Sequence, residues 1–422
     1  MLDSALGTIR RHMPKSIFNF FNPAYHWILA FSGVVIYRFP SRKIKIIGIT
    51  GTKGKSSTVE ILNSILESAG YKTALTNTIR FKVGDESEEN LYKMSMPGRF
   101  FMQRFIKRAA DAKCDYAILE MTSQGAITFR HKFIELDAFV FTNISPEHIE
   151  AHGSYENYLK AKLDLASTLS TSNKKNRALI VNGDNKESEK FLKVSADRKM
   201  SYTINDIRPY EIKSSGIEFT WNGKSVHSPL SGLFNLYNIL AAATAAKSQG
   251  VSDEIIIRAI GKFGGIPGRV QKIETEHDFT VIVDYAHTPD SLEKLYQIFD
   301  NSRKICVLGG TGGGRDSWKR KKMGEIADQY CDEIILTDED PYDEDPKQIV
   351  ADVATGITSK KPTITMNRRE AIREAVKRAK TGDTVLITGK GTDPYIMGPK
   401  GSKTPWSDAV VAREELEKML KA

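Results

Sequence analysis

The chain has 422 residues, with 61 Lys or Arg against 52 Asp or Glu, a net charge of +9, and hydrophobic residues making up 40%. That length exceeds one ordinary core, so two or more domains are expected, and the composition excludes disordered and collagen-like classes. The basic excess is scattered rather than gathered into a stripe, which fits anionic small ligands or a membrane surface and excludes nucleic acid as the expected partner.

Residues 17–39 are mainly apolar and follow Arg10, Arg11 and Lys15. They lead straight into the next strand without a small-residue cleavage site, so they do not read as a signal peptide. Asn19, Asn22, Pro23 and His26 interrupt the apolar length that a spanning helix needs. Two readings stay open. One is a helix packed on the body of the protein. The other is an interfacial helix, with Trp27, Phe31 and Tyr37 at a lipid boundary and Arg38, Arg42, Lys43 and Lys45 toward anionic headgroups.

Residues 44–57 read IKIIGITGTKGKSS. A buried strand over 44–50 runs into a turn containing Gly51, Thr52 and Gly54, and Lys55, Ser56 and Ser57 open a helix. Glycines let backbone N–H groups curl around an anion, the helix start adds partial positive charge, and a lysine reaches outer phosphates. The spacing between the glycines departs from the usual P-loop, but the strand-turn-helix context supports a phosphate cradle with Ser56 on Mg²⁺.

Alternating strands (116–121, 138–143, 178–182) and helices (100–112, 155–169, 236–248) then predict a parallel sheet covered on both faces. A polar region, 198–229, reads as short antiparallel strands over 201–204 and 217–221. The run Gly264-Gly265-Ile266-Pro267-Gly268 is hinge-like. It divides a short N-terminal segment (1–42) and a central domain (43–267) from a C-terminal domain (268–422). The last is a second, Rossmann-like, doubly wound α/β unit with strands over 279–284, 304–308, 333–337 and 384–388. Cys114, Cys306 and Cys331 are too few and too dispersed for a disulfide framework. Cys114 and Cys306 read as small core residues, and a reducing, cytoplasmic setting is expected.

Ligands gather at the carboxyl ends of parallel strands. Glu120, followed by Thr122 and Ser123, ends one strand, and Asn143 ends the next, with His148 and His152 just beyond. Lys162 lies one turn into a helix that starts near Ser154. Glu120 and His148 read as ligands of a hard divalent ion beside phosphate oxygens, or else as a capping carboxylate and a merely hydrogen-bonded imidazole. In the second unit, Asp284 and His287 close a strand, and Gly309–Gly314 with Arg315 forms another anion loop or a flexible turn. Six carboxylates between Asp338 and Asp345 read as a solvated loop or as a pocket for a cationic group.

The stretches GITGTKGKSST, EMTSQ, FTNISPEHIEAHGSYENYLKAK, GLFNLYNILAA, GIPGRVQ, VDYAHTPDSLEKL, GGTGGGRDSWKRKKMG and GKGTDPY resemble the Mur ligases, most closely their tripeptide-synthetase branch. The resemblance implies an ATP-dependent amide-bond ligase of peptidoglycan precursor synthesis that works through an acyl phosphate. It implies that Gly54, Lys55 and Ser56 hold the triphosphate and that Ser56 and Glu120 share one Mg²⁺. A second Mg²⁺ falls to Glu120, His148 and Lys162, which matches the family's carbamylated lysine. Asn235 and Asn238 would contact nucleotide, and Arg269, Asp284, His287 and Arg315 would close the second domain over ATP.

Three departures bear on substrates. About forty residues precede the phosphate loop, where full-length members carry a domain for the UDP moiety, so a lipid-linked or non-UDP acceptor is the alternative to a UDP-linked muramoyl peptide. Other ligases that the resemblance admits are an amidation subunit and a folylpolyglutamate-type enzyme. Where the branch reads diaminopimelate with Asp-Asn-Pro-Arg, this chain has Asp340-Pro341-Tyr342 among acidic neighbours, which favours an amino acid with a basic side chain. The expected Gly-His-Glu is Gly391-Thr392-Asp393, altering amino-acid contacts there.

Overall fold

The apolar run beginning at Ile44 becomes the middle of a sheet because both of its faces are covered. The computed structural model describes residues 15–147, 149–314 and 317–421, with side chains from residue 23 onward except at 149 and 150. Its contacts form two compact units. One comprises the chain through Asp206 with Tyr237–Ile256, and the other Ile207–Leu236 with Ile257–Ala422.

The first unit opens with helix α1 (Lys15–Ile36). Strand β1 (Lys45–Thr50) follows, then α2 (Lys55–Ser68), β2 (Thr73–Thr76), β3 (Arg80–Val83), β4 (Glu86–Glu89), α3 (Arg99–Asp111), β5 (Tyr116–Glu120), α4 (Ser123–Ile127), β6 (Ala138–Phe141), α5 (Tyr155–Ser170), β7 (Ala178–Asn182) and β8 (Arg198–Tyr202). The sheet order is β4-β3-β2-β5-β1-β6-β7-β8. From β2 through β8 every pairing is parallel, and β3 and β4 add an antiparallel edge. Ile46, Ile47 and Ile49 of β1 are fully buried, each contributing about 1.5–3 kcal/mol. Such two-sided burial is why the strand reads as a continuous apolar run.

Register then sets the site. Ile49 lies opposite Glu120, and Thr50 opposite Phe141, so the turn after β1 and the chain leaving β5 and β6 emerge at one end of the sheet. The expectation of an antiparallel strand near 201–204 is corrected here. The segment is β8, a parallel edge strand on β7. Its polar sequence reflects one uncovered side, since four of its five residues are not buried. The strands β9 (Tyr210–Lys213), β10 (Gly216–Trp221) and β11 (Lys224–Ser228) do form the expected antiparallel sheet, which belongs to the second unit. Helix α6 (Leu233–Ser248) follows.

The second unit also contains β12 (Gln271–Ile273), β13 (Thr280–Asp284), α7 (Pro289–Ile298), β14 (Lys304–Leu308), α8 (Trp318–Tyr330), β15 (Glu333–Leu336), α9 (Pro346–Ala354), β16 (Thr363–Ile364), α10 (Arg368–Arg378), β17 (Thr384–Thr388) and α11 (Asp408–Leu420). Its sheet runs β12-β13-β17-β14-β15-β16 and is parallel except for β12. Separate apolar layers cover its two faces, one around Leu295, Leu308 and Val353, the other around Val307, Ile372 and Ala412.

The cysteine expectation is also corrected. Cys306 on β14 and Cys331 at the end of α8 are joined by a disulfide across 25 residues. Both are buried, so Cys306 is a core residue as expected. The pairing arises because α8 returns the chain beside its own starting strand, and sequence spacing carries no trace of that.

Candidate active site

Gly51 and Gly54 bracket a turn that closes tightly on its surroundings. A β-carbon on Gly51 would lie 1.9 Å from Thr142 Oγ1, and one on Gly54, where φ is +81°, would lie 2.1 Å from Asn238 Oδ1. Only glycine fits both positions. The turn is pinned from β6. Thr52 N–H donates to the Asn143 carbonyl at 2.8 Å, Lys53 N–H donates to Asn143 Oδ1 at 2.9 Å, and Asn143 Nδ2 returns a bond to the Lys53 carbonyl at 2.9 Å. Thr142 Oγ1 donates to that same carbonyl at 2.9 Å. Thr52 Oγ1 accepts from Ser145 N–H at 3.1 Å and meets the Tyr158 hydroxyl at 3.0 Å.

The first residues of α2 bring the charged groups. Lys55 Nζ folds back over the turn and donates to the carbonyls of Gly51 and Thr52, at 3.0 and 2.9 Å. Ser56 Oγ donates to Glu120 Oε2 at 2.6 Å and meets Thr78 Oγ1 at 2.9 Å. Glu120 is buried at the end of β5 and also accepts from Thr78 N–H at 3.3 Å. Ser57 is buried in the same helical turn.

Helix α5 starts at Ser154, whose hydroxyl caps Asn157 N–H, and that cap sets which side of the helix Lys162 occupies. Lys162 is 1% exposed. Its Nζ donates to the Gly51 carbonyl at 2.6 Å and lies 4.7 Å from the centre of the Tyr158 ring. Burial, reinforced by the Lys55 charge, pushes its amine well below the usual lysine range, which favours the neutral, nucleophilic form. His152 Nε2 contacts Ser123 Oγ at 3.1 Å, and burial and then Lys162 lower its pKa. Thr122 caps α4 by accepting from Gly125 N–H at 3.2 Å. His148 lies outside the described residues.

Lys55, Ser56, Glu120 and Lys162 are thus gathered around one glycine turn. Tyr158 escaped the sequence reading. It precedes Lys162 by one helical turn, and that spacing was the available signal. Thr78 and Thr142 carried none, because their positions follow from strand register. Among the described residues, no group of three or more His, Cys, Asp or Glu is placed to hold a metal ion. Ser56 Oγ and Glu120 do supply adjoining oxygen donors of the kind a hard cation takes beside phosphate.

In the second unit, Asp284 ends β13 and is buried. Its Oδ2 accepts from Val270 N–H at 2.6 Å and its Oδ1 from Ala286 N–H at 2.7 Å, so it fixes the loop around it. Burial raises its pKa. Arg269 lies over the Tyr285 ring at 4.3 Å, and His287 Nδ1 donates to the Tyr285 carbonyl at 2.7 Å. Asn235 Nδ2 donates to the Ser231 carbonyl at 2.8 Å. Arg315 lies outside the described residues.

The acidic stretch is bonded internally. Buried Lys390 donates to Asp340 Oδ1 at 2.7 Å and reaches Asp393 Oδ2 at 3.4 Å. Asp340 Oδ1 also accepts from Met397 N–H at 2.8 Å. Asp338 accepts from Glu339 N–H, Asp343 from Lys400 N–H, and Asp345 caps α9. Glu344 Oε1 accepts from Gly314 N–H and its Oε2 from Arg320, both at 2.6 Å. Glu339 is 3% exposed and accepts from Thr311 Oγ1 at 2.9 Å. Tyr342 takes a left-handed backbone at φ +52° and donates its N–H to the Met397 carbonyl at 3.0 Å. Gly391, at φ +50°, packs against Tyr285.

The buried parallel sheet thus ends in a glycine turn, with a lysine and a serine at the following helix and a carboxylate one strand away. The comparisons give the family. The Mur ligase middle domain matches residues 49–246, and the Mur ligase glutamate ligase domain matches residues 268–391. A UDP-N-acetylmuramoyl-L-alanyl-D-glutamate-2,6-diaminopimelate ligase of Syntrophomonas wolfei subsp. wolfei is 35% identical over 408 residues, covering 93% of this chain and 82% of that protein. A UDP-N-acetylmuramyl-tripeptide synthetase of Roseiflexus sp. is 35% identical over 420 residues with the same coverage. A solved UDP-N-acetylmuramoyl-L-alanyl-D-glutamate-2,6-diaminopimelate ligase superposes with a TM-score of 0.63 at 28% identity, covering 89% of this chain and 79% of that one. The chain belongs to the Mur ligase family.

Proposed function

We propose that the protein is an ATP-dependent ligase that adds an amino acid to the carboxylate of a muramoyl peptide during peptidoglycan precursor synthesis. The observation that carries this reading is the buried Lys162 amine, 2.6 Å from the Gly51 carbonyl, inside a turn already shaped for phosphate. An ordinary nucleotide-binding turn has no use for a neutral amine there. A neutral amine adds to carbon dioxide, releasing a proton and leaving a carbamate, and so turns a basic residue into an anionic ligand.

In this reading the turn is a P-loop, and the second unit carries the Rossmann-like domain. The central ligase domain ends at residue 267 and the C-terminal one begins at residue 268. Gly51, Thr52, Gly54 and Lys55 would hold the triphosphate of the substrate ATP, Asn238 would flank it, and Ser56 with Glu120 would hold one Mg²⁺. The carbamate of Lys162, with Glu120 and His148, would hold a second. Bound magnesium neutralises charge on the phosphate oxygens during transfer. The acceptor carboxylate oxygen attacks the γ-phosphorus and ADP leaves. The amino group of the incoming amino acid then attacks the acyl carbon, inorganic phosphate departs with the bonding pair, and the amine's surplus proton passes to bulk base. Diaminopimelate is the amino acid in the name of the Syntrophomonas relative. Tyr342 and the acidic surroundings favour a lysine-like side chain in this chain, with Thr122, Ser123, Asp340, Gly391 and Asp393 toward the substrates.

The test is phosphate release from ATP and Mg²⁺ with UDP-linked and lipid-linked muramoyl dipeptides and a panel of amino acids, with product masses read in parallel. Turnover with lysine or diaminopimelate and a muramoyl acceptor is expected. Silence with every muramoyl acceptor, alongside turnover on a folate-type glutamate acceptor, would overturn the reading. A lipid-linked acceptor is favoured by one observation, the exposed apolar face of α1.

A further inference from the structure

Helix α1 is mounted by one side. Ala30, Gly33 and Val34 are buried, and a β-carbon on Gly33 would lie 3.6 Å from Gln103 and 3.7 Å from Phe100, both on α3. His26 contacts Arg99 of the same helix. The other side of α1 carries Trp27, Ile28, Phe31 and Val35, which at 100° per residue share one arc. They are 47%, 57%, 42% and 46% exposed. Trp27 and Phe31 stack at 5.3 Å, and Phe133 meets both edge-on at 5.5 and 5.6 Å. This is a fixed aromatic platform facing outward.

Charge selects what covers it. Between Asp3 and Glu60 the sequence contains no Asp or Glu. Just past the helix, Arg38, Arg42 and Lys43 are exposed. The nearby carboxylate of Glu135 is already bonded to Arg42 at 2.8 Å. A two-fold contact with a second copy would set this acid-free stretch against itself, whereas an anionic lipid surface supplies the opposite charge. Among the described residues, no helix is long and apolar enough to cross a membrane, so the geometry suits lying in the interface.

We propose that α1 is an interfacial anchor seating the protein on an anionic phospholipid bilayer. Trp27, Ile28, Phe31 and Val35 enter the boundary between headgroups and acyl chains, and Arg38 and Lys43 face headgroup phosphates. The anchor stands apart from the ligase reading, and its test reads binding rather than turnover.

The experiment sediments the full chain with vesicles of phosphatidylcholine alone and of equal parts phosphatidylcholine and phosphatidylglycerol. Binding to the mixed vesicles is expected, weakening with salt and about tenfold or more weaker on phosphatidylcholine alone. Trp27→Ser with Phe31→Ser should lower binding about tenfold or more. Arg38→Gln with Lys43→Gln should lower it about fivefold per charge on mixed vesicles and leave phosphatidylcholine binding unchanged. Ile28→Asn, outside the aromatic contacts, provides a second apolar variant, and unchanged thermal melting shows that each variant folds. Absence of binding to mixed vesicles, or binding indifferent to all three variants, overturns the proposal. So does a dimer in light scattering that Trp27→Ser with Phe31→Ser dissociates while vesicles capture nothing, an outcome that assigns the face to a second copy.

Discussion

Two glycine turns in this chain follow buried strands and lead toward helices, and they are held in contrasting ways. The turn between β1 and α2 is held without any carboxylate bonded to it: Thr142, Asn143 and Tyr158 bond it, the Lys55 and Lys162 amines donate to its carbonyls, and Asn238 closes against Gly54. The turn after β14 is fixed by charge. Glu344 takes Gly314 N–H, Arg320 ties Glu344 to the Thr311 carbonyl, and Glu339 holds the Thr311 hydroxyl. The first turn keeps its shape with no carboxylate among its contacts, and Lys55 lies over it. A turn held by acidic side chains depends on the protonation state of each of them.

The contrast is tested most severely at Lys390. Replacing it with Met leaves the Asp340 carboxylate buried without its cation, which should destabilise the protein by about 3–5 kcal/mol, read from urea denaturation. Adding Asp340→Asn to Lys390→Met should recover most of that loss. A neutral Lys390→Met would mean that the pair contributes nothing net to stability.

The next effect falls on the first turn. Gly54→Ala drives a β-carbon to 2.1 Å from Asn238 Oδ1 at a φ of +81°, so the turn must shift. A displacement near an ångström at a reacting centre costs about 100-fold in rate. Phosphate release should fall by that order, and the urea midpoint should drop as well, since alanine is strained at that φ. Near-native turnover in Gly54→Ala would show that this turn is not the phosphate cradle.

The same contrast explains what the sequence disclosed. The first turn was legible because glycines, lysine and serine sit adjacent in the chain, after a run of buried isoleucines whose periodicity announces a strand. Glu120 and Lys162 were legible because they close a strand and occupy the first turns of a capped helix. The charged network of the second unit was not. Asp340 and Lys390 are fifty residues apart, and nothing in the acidic stretch says that its cation arrives from beyond β17. The stretch therefore read only as a solvated loop or a pocket for a cationic group, without its bond to Lys390. The Cys306–Cys331 bond and the parallel pairing of β8 were missed for the same reason, since each is decided by how α8 and β7 return the chain.

The smallest expected effect concerns pH. Burial shifts Lys162 in the first unit and Glu339 in the second toward their neutral forms, with opposite signs. Glu339 has its pKa raised from 4.5 to about 7, mainly by burial, with Asp340 adding to the rise while Arg368, Lys390 and Thr311 oppose it. Between those values the folded chain keeps a proton that the unfolded chain has lost, so stability is full below about pH 4.5, falls as the pH rises toward 7, and is level above. Lys162, pushed down, works the other way, and its share of stability rises with pH. Glu339→Gln keeps an oxygen for the Thr311 hydroxyl and removes the titration. It should leave the urea midpoint unchanged at pH 4.5 and raise stability by about 1–3 kcal/mol at pH 8. An equal gain at both pH values would mean that Glu339 does not titrate in this window, and the second turn would then owe its hold to geometry, as the first does.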